Sequence, residues 1–303
     1  MKKISLYLVL MILNSCGTKD TKEKEQTGKV KVTVVNYPLY YFANRIGGDY
    51  IQLDYPIPED VDPAYWIPDS VALELYQSAD IIFANGANYA KWMQNVSLPA
   101  SRIVNTSFSQ KDNFITLQSS GTHSHGLEGE HEHTGYAFTT WLDFELALVQ
   151  AEKVKDVLVK KLPEQKMQFI ENFSSLKSEL QQANKSMKEI GNQSGNQHFL
   201  GSHPVYQYLA KAYSMKIHSV HFEPNEMPSK KQWEELEHLL DNYPARIMLW
   251  EDEPLSEVLE ILRSKGIQVV VFNPCGNKPE NGDFITIMQE NINSLSEAIK
   301  SSK

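Results

Sequence analysis

The sequence predicts an α/β protein of two lobes, each with a mostly parallel sheet flanked by helices, joined by one long helix. Three observations carry this. Short β-branched or apolar runs alternate with helical patterns after residue 28. The alternation occurs twice, over 29–162 and again over 192–303, and a single amphipathic stretch at 163–191 separates the two rounds. The chain has 303 residues, 41% hydrophobic and 22% charged, which is enough for two buried cores and too apolar for disorder.

In the first lobe, residues 30–36 form a β-branched run, 50–57 alternate, and 79–84 and 103–106 are short apolar runs, so all four read as strands. Helical patterns fall at 37–46, closed by Gly47-Gly48, and at 68–77. In the linking stretch Pro163 occupies a first helical position. Met167, Ile170, Phe173, Leu176, Leu180, Met187 and Ile190 then recur mostly every three or four residues until Gly191. Such a helix runs about 42 Å at 1.5 Å per residue, long enough to cross both lobes as a spine. The second lobe repeats the theme with strands at 198–201, 216–222, 246–250 and 268–272, each followed by a helical pattern. Ser229 and Gln232 form a capping-box pattern ahead of Trp233, Leu236 and Leu240. Met288, Ile292, Leu295 and Ile299 stripe the last helix.

The N-terminus sets the compartment. Met1-Lys2-Lys3 and the apolar run 4–13, too short for a permanent span, predict a signal peptide over residues 1–15. Leu13-Asn14-Ser15-Cys16 resembles a lipoprotein cleavage box, which implies a lipid on Cys16 and a membrane attachment through it. Residues 16–28 contain no apolar side chain beyond the cysteine and read as a solvated tether. The formal charge is −9, becoming −11 once Lys2 and Lys3 leave with the signal, so no nucleic-acid partner is expected. With Cys16 lipidated, Cys275 stands alone and no disulfide framework exists. No phosphate-loop, dinucleotide, GxSxG or HExxH pattern occurs, so no enzyme is expected.

Several segments then fall into a recognisable order. These are Val34-Val35-Asn36-Tyr37-Pro38-Leu39-Tyr40, Ile46-Gly47-Gly48-Asp49, the loop 58–68, and Ala79-Asp80-Ile81-Ile82-Phe83-Ala84-Asn85-Gly86-Ala87. Trp141-Leu142-Asp143, Ser202-His203-Pro204-Val205-Tyr206 and Phe222-Glu223-Pro224 follow. In this register the chain resembles the substrate-binding lipoproteins of zinc and manganese ABC importers. The resemblance implies the metal-type periplasmic binding protein fold. It further implies Zn²⁺, or Mn²⁺ or another divalent ion, carried as cargo, a permease and its ATPase as partners, and a monomer in the cell envelope. In that family four side chains, histidines and a carboxylate, hold the metal between the lobes. Here the position after Asp62-Pro63 is Ala64, the position two before Trp141 is Thr139, and the late Asp-Pro is Asn273-Pro274. Only His203 keeps a strong donor, because an alanine has no lone pair and neutral oxygens are poor substitutes. Tyr65, Tyr136, Glu251, Asp252 and Glu253 are nearby replacement candidates. Cys275 is either a soft ligand or a buried small hydrophobe, with burial the default.

A second constellation is independent of the first. Residues 121–135 read Gly-Thr-His-Ser-His-Gly-Leu-Glu-Gly-Glu-His-Glu-His-Thr-Gly, so His123, His125, His131 and His133 form two His-x-His pairs. Four of the chain's nine histidines fall within this acidic, glycine-rich stretch. It predicts a mobile loop offering neutral nitrogen ligands above about pH 6.5, and it resembles the His-rich loop of zinc-selective members of the family. The metal reading therefore places the principal site on this loop, with His203 assisting. Two other readings stay open. One keeps the fold and puts a small organic ligand or metal chelate in a neutral cleft flanked by Trp66 and Trp141. The other is a metal-buffering or adhesion lipoprotein with no transport partner.

Overall fold

The computed structural model describes residues 28–117, 122–124, 130–132 and 135–302. The predicted signal peptide, Cys16 and nearly all of the tether lie outside the described residues. In the first lobe β1 (Val30–Val34), β2 (Ile51–Asp54), β3 (Ile81–Ala84) and β4 (Ile103–Asn105) form a parallel sheet of order β2-β1-β3-β4. Helices α1 (Tyr37–Gly47) and α2 (Ser70–Ser78) connect its strands, capped by the side chains of Asn36 and Asp69 on the N–H groups of Leu39 and Ala72. After β4 two short antiparallel pairs follow. β5 (Thr116–Leu117) pairs with β8 (Gly135–Tyr136), and β6 (Thr122–Ser124) pairs with β7 (Glu130–Glu132). The predicted irregular loop thus contains a paired ladder among its described residues.

The sequence reading passes over α3 (Phe144–Lys161), whose apolar positions are diluted by lysines and which Asp143 caps. It forms an antiparallel hairpin with α4 (Lys166–Ser194), reached through a 3₁₀ turn at Pro163–Gln165. The spine starts with a shifted stripe: Met167 is 75% exposed, and Phe169 with Phe173 carries the burial there. Helix α4 also runs past Gly191. A Cβ at that residue would lie 2.1 Å from the carbonyl oxygen of Tyr213, so glycine sits there for a close approach and not as a stop. Arg45 of α1 grips Glu179 of α4 with two bonds of 2.8 and 2.7 Å.

The second lobe contains β9 (His198–Gly201), α5 (Gln207–Ala212), β10 (Lys216–Ser219), α6 (Lys230–Asn242), β11 (Ala245–Trp250), α7 (Ser256–Ser264), β12 (Gln268–Val271) and α8 (Phe284–Ser301). Its sheet, β10-β9-β11-β12, is parallel and repeats the order of the first lobe. The capping box of Ser229 and Gln232 is formed on α6, and Met288, Ile292, Leu295 and Ile299 of α8 are all buried. The main apolar core is continuous from one lobe into the other. It runs from Val34 and Phe83 through Leu176 and Leu180 of the spine to Phe199, Leu249 and Phe272. Each such fully buried side chain contributes about 1.5–3 kcal/mol, so the lobes are fixed on one shared interior. Among the described residues no helix is long and apolar enough to cross a membrane.

Candidate metal centre

The cleft is built at the carboxyl ends of the strands, where parallel sheets leave room for a ligand. On the C-terminal wall His203 stands two residues past β9, Glu223 four past β10, Glu251 directly after β11, and Asn273 two past β12. The opposite wall brings Asp62 from the loop after β2, together with Tyr89, Thr139 and Trp141. Between them lies a cavity of about 620 Å³. Asp60, Asp62, Glu223, Glu226, Glu251 and Asp252 line it, with no Lys or Arg among the described lining residues. The field inside favours a cation.

His203 is only 6% exposed. Its Nδ1 lies 3.0 Å from Glu251 Oε1, and its Nε2 lies 3.8 Å from Glu223 Oε1. Burial opposes its protonation, but the Glu251 hydrogen bond and the charges of Glu251, Glu223 and Asp62 outweigh that, so its pKa sits above the ordinary imidazole value. The Glu251 carboxylate on Nδ1 fixes the orientation of the ring.

At the three positions where the resemblance expects ligands, the residues present make other bonds. Ala64 is buried, and its N–H donates to Asp62 Oδ1 at 2.8 Å. The Thr139 hydroxyl donates across the cleft to the Val205 carbonyl at 2.5 Å. Asn273 Oδ1 accepts the Cys275 N–H at 2.7 Å, and its backbone is bonded twice by Asn291. Behind Thr139 a buried amide network holds the wall: Gln150 Nε2 donates to Asn85 Oδ1 at 3.1 Å and to Thr106 Oγ1 at 3.0 Å, and Asn85 Nδ2 donates to the Phe138 carbonyl at 2.9 Å. The chain reverses tightly at Gly86, where φ is +87° and a Cβ would fall 2.3 Å from Ser107 Oγ.

Further bonds cross the cleft. Trp141 Nε1 donates to the Pro274 carbonyl at 2.7 Å, Tyr55 donates to Asn277 Oδ1 at 2.7 Å, and Asn277 Nδ2 reaches the Pro58 and Val61 carbonyls at 2.7 and 2.8 Å.

Of the replacement candidates, Tyr65, Glu251 and Asp252 line the cavity. Tyr136 stands on β8, and neither it nor Glu253 is among the lining residues. Trp66 does not flank the cleft, because it packs inside its lobe against Tyr76 and Trp92. Cys275 is 2% exposed, and burial pushes its thiol pKa up, so it is a core residue and not a cleft ligand. His123 and His131 stand opposite each other in the register of β6 and β7. His125 and His133 lie outside the described residues. Leu117 and Ala137, just outside the His-rich stretch, both line the cavity, which puts the base of that stretch at the cleft. Sequence reasoning missed Asp62, Glu223 and Asn277 as cleft residues. The first two stood inside quoted motifs, whereas Asn277 carried no signal.

The model of the zinc-uptake complex component A family, a periplasmic protein, matches residues 32–298. The chain belongs to this family. It is 25% identical over 309 residues to the high-affinity zinc uptake system protein ZnuA of Bacillus subtilis, covering 95% of this chain and 94% of that one. It is 24% identical over 315 residues to the zinc-binding protein AdcA of Streptococcus pyogenes, covering 97% of this chain but only 61% of AdcA. The crystal structure of the metal-dependent lipoprotein YcdH from Bacillus subtilis shares the fold, with a TM-score of 0.74 at 22% identity over 89% of this chain and 98% of that one. The chain therefore shares its overall fold with that structure.

Proposed function

We propose that the chain is an extracytoplasmic solute-binding lipoprotein of an ABC importer that captures a divalent metal ion, zinc first, and passes it to a membrane permease served by an ATPase. The lipid on Cys16 holds it to the envelope, and it works as a monomer. The observation that carries this reading is the cation-favouring cleft, lined by His203 and six carboxylates, in a chain matched to the zinc-uptake family over 32–298. Capture begins on His123, His125, His131 and His133, whose stretch is rooted at the cleft mouth, and His203 supplies the fixed nitrogen inside. Manganese is a second cargo, because carboxylate oxygens suit it.

The test is calorimetric titration of Zn²⁺ into the metal-stripped chain lacking residues 1–16, near pH 7.5, beside the same chain without residues 122–134. Tight binding by the parent that is lost with the stretch, and only weakened by His203→Ala, is the expected result. A parent that ignores Zn²⁺ and Mn²⁺ overturns the proposal. It would favour the second reading, an organic ligand or chelate, for which a 620 Å³ cavity beside neutral Thr139 and Asn273 has the room.

A further inference from the structure

We infer that Glu223 is a direct ligand of the captured ion, so that His203 and Glu223 form a rebuilt half-site on the C-terminal wall in place of the lost family ligands. This rests on the reading that the chain captures a divalent cation. The geometry begins with the backbone. The Phe222 N–H donates to the Ser202 carbonyl at 2.7 Å, and the Val220 N–H donates to the Gly201 carbonyl at 3.0 Å. The residues directly before Glu223 and directly before His203 are thus bonded to each other, and Phe222 is fully buried under the pair. Neither side chain can drift far from the other.

Glu251 occupies Nδ1 of His203, so the nitrogen that faces Glu223 is Nε2, 3.8 Å from its carboxylate. Two donors on one tetrahedral ion, each at about 2.0 Å, stand about 3.3 Å apart, so a small side-chain rotation brings both onto one ion. Glu223 and Glu251 are both partly buried, and both line the cavity with His203. Asp62 on the opposite wall adds its charge to the field at His203. Among the described residues no three His, Cys, Asp or Glu side chains come together as a ready cage, so these two donors are a half-site whose remaining positions water can fill. One imidazole with a carboxylate is a harder donor set than several histidines, and it narrows the preference for zinc over manganese.

The experiment measures Zn²⁺ and Mn²⁺ affinity of the metal-stripped mature protein, with Co²⁺ absorption as a reporter of the ligand shell, for the parent, Glu223→Gln, Glu223→His and the control Glu189→Gln. Glu223→Gln should weaken Zn²⁺ binding about 10-fold or more and change the Co²⁺ spectrum. Glu223→His should tighten Zn²⁺ and weaken Mn²⁺. Glu189→Gln, which removes an exposed charge on α4 away from the cavity lining, should leave affinity and spectrum unchanged. If the parent binds and both Glu223 variants match it in affinity and spectrum, the inference fails while the capture reading stands. If the parent binds neither ion, the capture reading itself fails.

Discussion

On the N-terminal wall of the cleft, Thr139, Asn85, Gln150 and Thr106 direct their polar atoms at one another and at backbone carbonyls. Across from them His203 stands between the carboxylates of Glu223 and Glu251. The first arrangement is neutral and saturated, so it gives rigidity and no attraction for an ion. The second gathers more negative charge than one imidazole can balance, which a cation would relieve. Two lobes with the same strand order thus contribute differently: the polar network around Thr139 ties the walls together, and the acidic cluster around His203 gathers charge, facing Asp60 and Asp62 across the cavity.

The largest expected effect comes from erasing that division. Ala64→His, Thr139→His and Asn273→Asp together restore the donors that the family resemblance assigns to those positions. Zinc affinity should rise about 100-fold or more, since three further strong donors would join His203. Competition against a chromogenic chelator reads it directly. An unchanged affinity would mean that the cleft is wrongly shaped for a metal at these positions and not merely short of ligands.

How legible these walls were in the sequence follows from the same contrast. Both sheets, the spine and the capping box of α6 could be read because apolar periodicity and caps are local signals. Helix α3 was missed because its buried residues, such as Leu146, Val154 and Leu158, are separated by lysines and glutamates. Gly191 was read as a stop because contact with the Tyr213 carbonyl is a tertiary fact. His203, Thr139 and Asn273 stand at positions the resemblance singled out, and all three line the cavity, whereas Ala64 is not among the lining residues. The Glu223 and Asn277 contacts could not be read from the sequence: the first depends on β9 and β10 lying side by side, and the second on loops 216 to 222 residues apart meeting across the cleft. Trp66 shows the reverse error, a cleft residue by sequence proximity that faces its own lobe's core.

A middle-sized effect belongs to the scaffold wall. Gln150→Leu should remove the donor shared by Asn85 and Thr106, costing about 1–3 kcal/mol of unfolding free energy because buried acceptors lose their partner. Thr139→Val should cost about 1 kcal/mol through the lost bond to Val205. Urea denaturation measures both, and zinc affinity should stay near the parent's. A large loss of affinity in either variant would show that this polar network takes part in binding as well as in holding the wall.

The smallest effect separates two histidines of the C-terminal lobe by the sign of their pH dependence. His218 lies on the edge strand with Nε2 2.9 Å from His198 Nδ1 and its ring stacked on Tyr243 at 3.8 Å. Burial first, then the charges of His198 and Lys216, lower its pKa. Its neutral form is the one the fold prefers, so its contribution to stability is present above the ordinary value near 6.5 and is lost as pH falls. His203, with its raised pKa, runs the other way: its contribution is present below that value and is lost as pH rises. Thermal melts of the metal-stripped protein at about pH 7.5 and 5.5 should therefore diverge between variants. His218→Phe should lose less stability on acidification than the parent, and His203→Gln should lose more. Equal slopes for the two variants would mean that the acidic pair around His203 does not hold its proton, and the charged character assigned to that wall would have to be given up.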